Sequence, residues 1–169
     1  MKQGILAYAD VPEGEDGADG VWYYSPVVEE IKPLPYPPCP PGKAFLSATY
    51  TSRWTGTLAG ASADTGILIA HGELPDAVPM LFVGTCSFKD VVVGSVSGDL
   101  EMDTIGHRPD ATSQWRGTWV VTSGTGGLEG LCARGTFWGP GWLGNPAEPG
   151  VIYYSVEEMH GVELDASGD

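Results

Sequence analysis

Between Ala44 and Trp138 the chain runs in short stretches rich in Val, Thr, Phe and Trp, interrupted by glycine at close intervals. This is the pattern of pleated strands joined by tight turns. It predicts strands near 44–58, 66–73, 80–88, 91–102, 115–122 and 132–138. Alternation is clearest in the first, where Tyr50, Ser52, Trp54, Gly56 and Leu58 share one face and Thr49, Thr51, Arg53, Thr55 and Thr57 the other. The first face is the larger and more apolar one. No window of useful length repeats apolar residues at helical spacing, and each interior glycine costs a helix about 1 kcal/mol relative to alanine. At most one short helical segment is expected. Six or more antiparallel strands need closed or covered edges, and closure into a barrel removes the edges altogether. The prediction is all-β: a single closed antiparallel barrel of about eight strands with extra terminal strands. A sandwich is the alternative.

The two ends echo one another, Gly20-Val21-Trp22-Tyr23-Tyr24-Ser25 against Gly150-Val151-Ile152-Tyr153-Tyr154-Ser155. Both read as strands, paired beside the barrel or alike only through shared β-prone composition. Residues 33–42, Pro-Leu-Pro-Tyr-Pro-Pro-Cys-Pro-Pro-Gly, supply few ladder donors and are expected to run as an extended strap across the surface or one mouth. The organisation is therefore one domain: terminal strand and strap over 1–43, barrel core over 44–138, and a Trp-containing loop with a last strand over 139–169.

Composition narrows the partners. The 169 residues suffice for one sizeable core. Eight Lys and Arg against 22 Asp and Glu give a formal charge of −14. Phosphate backbones and anionic lipid surfaces are repelled by such a field, so neither nucleic acid nor membrane is an expected partner. The acidity reads first as solubility and second as a site attracting cationic ligands. The first residues lack the apolar stretch of a secretory signal and no segment approaches about 18 consecutive apolar residues, so a cytoplasmic location is expected. Cys39, Cys86 and Cys132 are odd in number and widely spaced, which argues for reduced thiols. His71, His107 and His160 show no metal-ligand spacing, and no Gly-rich phosphate loop opens a helix, so the expectation is no metal and no cofactor.

The most specific stretch runs from Trp115-Arg116-Gly117-Thr118-Trp119 through Gly124-Thr125-Gly126-Gly127-Leu128-Glu129-Gly130-Leu131 to Arg134-Gly135-Thr136-Phe137. It resembles the late hairpin of the allene oxide cyclase-like barrels, the superfamily that includes dirigent proteins and spirotetronate cyclases. Trp54-Thr55-Gly56-Thr57-Leu58-Ala59-Gly60 and Val93-Gly94-Ser95-Val96-Ser97-Gly98-Asp99-Leu100 look like earlier strands of the same pattern. The resemblance covers roughly 44–138. It implies an eight-stranded barrel whose lumen holds a hydrophobic small molecule, frequent homo-oligomers (dimer or trimer), and cofactor-free cyclases or isomerases that shape a reactive precursor such as a polyketide or terpenoid. The alternative is a non-catalytic carrier of an apolar ligand.

Such a barrel contributes orientation and a few polar groups where charge develops. Trp54, Phe82, Phe88, Trp115, Trp119, Phe137 and Tyr153, with Tyr50, are candidate aromatic walls, and Cys86 a further lumenal candidate. Asp64, His71, Glu73, Asp99 and Glu101 lie within or beside predicted strands, where an inward carboxylate would be desolvated and able to donate a proton. His71 and Glu73 share a face and could move a proton together. Glu73 is the preferred acid, with His71, Tyr50 and Asp99 as the other catalytic candidates. Arg134 reads as an inward anion binder or an outward ion pair. The Trp138–Pro146 loop reads as a mouth cap, a plug or a subunit contact.

Overall fold

The computed structural model describes residues 15–27, 30–34, 43–71, 79–143, 145 and 147–162. Nine strands follow in order: β1 Gly20–Pro26, β2 Lys32–Pro33, β3 Lys43–Gly56, β4 Leu58–His71, β5 Met80–Val93, β6 Val96–Arg108, β7 Trp115–Gly124, β8 Cys132–Gly141 and β9 Gly150–His160. From β3 to β9 each strand pairs antiparallel with the next. The ring is then closed by β1, which pairs with β9 on one side and β3 on the other. Eight strands make a closed antiparallel barrel, and β2 is bonded outside that ring to Ser47 and Leu46 of β3. Closure leaves no long edge for another chain to extend.

The echoing termini are thus both strands and direct neighbours, in a register running from Gly20 opposite Tyr154 to Tyr24 opposite Gly150. Among the described residues the helical content is confined to single turns such as the 3₁₀ turn Gly126–Leu128, which sits in the late hairpin where the glycine run predicts a turn. Of the strand boundaries that differ from the sequence reading, three have a clear backbone cause. The reversal after the first strand falls at Thr57, next to Gly56 at φ +93°, so Leu58 opens β4 and that strand starts eight residues before the predicted 66. Lys89-Asp90 reads as a break but is a bulge: Asp90 takes φ +51°, the ladder shifts register, and β5 continues to Val93. The true turn is at Gly94, φ +61°, which moves β6 to Val96–Arg108.

Alternation then sorts each strand. In β3, Ser52 and Trp54 turn inward; in β4, Leu58, Ser62, Asp64, Leu68 and Ala70 do so; in β5, Met80, Cys86 and Phe88. One half of the lumen is filled by a dense cluster that includes Leu58, Phe88, Val91, Val93, Leu100, Met102, Leu128 and Leu131. The other half holds a smaller cluster, Leu68, Ala70 and Met80 with Leu46, Phe82 and Trp115 against it. Between the two lies a part of the interior that combines open space with a buried charge-bearing group.

Candidate functional site

The site begins with two tryptophans. Trp22 of β1 and Trp54 of β3 are cross-strand partners whose rings stack with centroids 4.5 Å apart at 13°. A buried indole N–H must be satisfied. Trp22 donates to Ser52 Oγ and Trp54 to Ser62 Oγ, each at 2.9 Å. Ser52 and Ser62 are themselves partners across β3 and β4. With each hydroxyl oxygen accepting from an indole, its proton is directed onward, and both reach Asp64: Ser52 to Oδ2, and Ser62 to Oδ1 at 2.5 Å. The Cys86 thiol, opposite Asp64 on β5, supplies a third bond. Four strands thereby aim a two-branched chain of donors at one carboxyl group that is 2% exposed.

Burial pushes the Asp64 carboxyl above the ordinary Asp range, and the bonds from Ser52, Ser62 and Cys86 pull it part of the way back. The same desolvation drives the Cys86 thiol well above its usual value, reinforced by the charge of Asp64. Cys86 is therefore a hydrogen-bond donor and not a nucleophile. Burial also raises Tyr50, with the charges of Tyr24 and Asp64 adding to it. Tyr24 is pushed up to about 12 by burial, against the bond from the Trp142 backbone N–H and the charge of Arg108.

Asp64 stands at the wall of a cavity of about 90 Å³, lined otherwise almost entirely by apolar side chains: Trp22, Tyr24, Pro26, Ile31, Tyr50, Leu68, Met80, Phe82, Trp115, Phe137, Trp142 and Ile152. The rings meet nearly at right angles. Tyr24 and Tyr50 are 5.4 Å apart at 83°, Tyr50 and Phe82 5.6 Å at 84°, and Trp22 and Phe137 5.8 Å at 78°. Such a set forms the sides of a box. Trp142 also lines the cavity, and its backbone N–H donates to Tyr24 Oη at 2.8 Å.

These rings recess into glycine notches. A Cβ on Gly66 or Gly84, partners across β4 and β5, would lie 2.6 or 2.5 Å from the Phe82 ring. A Cβ on Gly106 or Gly117, partners across β6 and β7, would meet Phe137 at 2.5 or 2.3 Å. Tyr24 lies on Gly150 in the same way, at 2.5 Å. Each ring lies against backbone instead of projecting across the lumen, which is why open volume survives in a small barrel.

Of the residues singled out in the sequence, Tyr50, Phe82, Trp115 and Phe137 are brought together around the cavity. Trp54, Cys86 and Trp119 are buried in the packed cluster beneath it. Tyr153 faces outward toward Trp138, with ring centroids 6.4 Å apart. His71 closes β4 on the outward-facing register opposite Lys43, so it is not beside Asp64. Asp99 lies at the other end of the barrel on the exterior, paired with Lys89 at 2.6 Å. Arg134 takes the outward reading, bonded to Glu158 at 2.9 Å. Glu73 lies outside the described residues. Among the described residues the carboxyl at the cavity is that of Asp64, with Ser52, Ser62, Trp22 and Tyr24 as partners that the sequence reading did not assign. The signal was present: continuing the alternation of Leu68 and Ala70 back through Gly66 places Asp64 and Ser62 on the inward face.

Among the described residues no group of three His, Cys, Asp or Glu side chains is arranged to hold a metal ion, and no helix is long and apolar enough to cross a membrane. What the arrangement provides is an aromatic box with one desolvated carboxyl group held in fixed orientation. No family model, curated protein or solved structure matches this chain.

Proposed function

We propose that this protein is a cofactor-independent isomerase or cyclase, in which the aromatic cavity fixes the conformation of a small, largely apolar substrate and Asp64 exchanges a proton with it. The carrying observation is the placement of one buried carboxyl, raised above its ordinary range, at the wall of an otherwise apolar box. A carboxyl that keeps its proton nearer neutrality is a better general acid, and its rigid donor network holds it in one orientation. The resemblance of residues 44–138 to the allene oxide cyclase-like barrels supports the same class of chemistry. The cavity's size confines the enclosed part of the substrate to a ring-sized group.

A specific observation also favours the carrier reading. Both Asp64 oxygens already accept bonds from serine hydroxyls, which leaves the carboxyl less free to exchange a proton with a ligand. The test is native mass spectrometry of the protein purified from its own host, with identification of any bound molecule, followed by turnover assays on wild type and Asp64→Asn. The catalytic reading expects a rearranged or cyclised product, a precursor that wild type converts, and at least a 100-fold lower rate in Asp64→Asn with binding retained. A bound, unaltered compound that neither form converts assigns the protein as a carrier. An empty protein that takes up no ring-sized apolar probe overturns both.

A further inference from the structure

The cavity also carries information about the charge of its ligand, resting on the reading above that it is the binding site. A carboxyl in an apolar box is ordinarily balanced by a cation or kept neutral. Among the described residues the polar groups bonded to it are oriented to donate: Ser52 and Ser62 give their protons to the two oxygens, their own oxygens being occupied by the indoles of Trp22 and Trp54. That pattern is built for a carboxylate. The ion pairs among the described residues, Lys89 with Asp99 and Arg134 with Glu158, are both on the exterior. Arg108, the cation whose charge is felt by Tyr24, is bonded to the carbonyls of Ser113 and Ala111 and does not line the cavity. The box therefore supplies a negative charge and, in Trp22, Tyr24, Tyr50 and Phe82, several π faces set at steep angles within contact distance of one another. Aromatic walls of this kind attract a cation through their ring quadrupoles. The overall charge of −14 favours the approach of cations to the protein as a whole.

We propose that the cavity recognises a positively charged organic group, of the size and shape of a trimethylammonium or similarly substituted amine, with Asp64 as its counter-ion and the aromatic box as its cage. A cavity of about 90 Å³ confines the enclosed part of the ligand to one compact head of this kind.

The test uses the full chain and two probes of similar shape, tetramethylammonium and neutral tert-butanol, at about 0.15 M ionic strength to screen the acidic surface. The readout is the indole N–H resonances of Trp22 and Trp54, which report directly on the Asp64 network. Saturable shifts of both indoles by tetramethylammonium, with tert-butanol binding at least tenfold more weakly, are expected. Cation binding should also tighten as pH rises through Asp64 ionisation while tert-butanol binding stays level. Tyr24 and Tyr50 face the same space and Cys86 meets Asp64 from the packed cluster beneath it, but all three ionise far higher, and Glu101 and Asp103 lie on the outer face of β6. Asp64→Asn should remove most of the preference; should that variant fail to fold, the probe comparison and pH profile in wild type still decide. Equal binding of both probes overturns the cation assignment and leaves the cavity as an apolar site. Failure of both to bind, or cation shifts confined to other residues, overturns the assignment together with the reading of the cavity as the site.

Discussion

At the scale of the single residue, Asp64 is under two opposed demands. Removal from water favours its neutral form, while three donors favour the charged one, and desolvation is the larger effect. This has a thermodynamic consequence of definite sign. An Asp in the unfolded chain ionises near about pH 3.9. With the folded value raised, the folded state binds more protons than the unfolded state in the interval between the two values. The stabilising contribution is thus fully present below the unfolded value and is lost as pH rises through the folded one. Subtracting the melting temperature of Asp64→Asn from that of wild type cancels the other carboxylates. That difference should increase as pH is lowered from about 7 toward about 4. Parallel pH curves for the two proteins would show that Asp64 ionises alike in folded and unfolded chains.

At the scale of the strand, the glycines decide how much lumen remains. Gly106→Ala is the most informative substitution, because its Cβ would approach the Phe137 ring at 2.5 and 2.9 Å while the nearest backbone atom, Arg116 O, stays 3.2 Å away. The ring must therefore swing toward the cavity. Overpacking of this kind costs about 1–3 kcal/mol. Combining it with Phe137→Leu should recover part of that loss, a coupling that chemical denaturation of the four proteins in the cycle measures directly. Simple additivity of the two substitutions would show that the ring does not rest in the notch. The same glycines explain what was legible in the sequence. The strands rich in Val, Phe and Trp, the late hairpin and the aromatics Tyr50, Phe82, Trp115 and Phe137 announce themselves by alternation. The first half of β4, Leu58-Ala-Gly-Ala-Ser-Ala-Asp-Thr65, does not. Its inward positions carry Gly60, Ser62 and Asp64, so the apolar-inward rule fails at the place where the donor network is built. Asp64 stands in the sequence reading as one candidate among several, and nothing there ranks it above Glu73, because the strand that bears it is small and polar on its buried face. Asp90 misled in the opposite direction, since a bulge and a turn look alike in sequence.

At the scale of the whole molecule, the barrel depends on a seam joining residues far apart in the chain. Tyr154 of β9 donates to Thr55 O and accepts from Leu58 N, both at 2.8 Å, reaching across β1 to the turn between β3 and β4. Asp19 fastens the same corner: its N–H donates to Tyr154 O, its carbonyl accepts from Thr57 N, and its carboxylate accepts from Val156 N at 2.7 Å. The tyrosine hydroxyl is pushed up to about 12 by burial, so it remains a donor throughout the physiological range. Closing this seam costs the most chain entropy of any pairing in the fold, because it unites β1 with β9 across nearly the full sequence. A local opening there should be the lowest-energy departure from the native state, leaving β5 to β7 intact. Tyr154→Phe keeps the ring but strands the buried Leu58 N–H, a loss of about 1–3 kcal/mol. If the seam is the weakest joint, hydrogen exchange should accelerate in this variant at Thr57, Leu58 and Val156 well before it does at the amides of β5 to β7. Uniform acceleration over all strands would instead mean that the barrel opens only as a whole, with the seam no weaker than the rest of the wall.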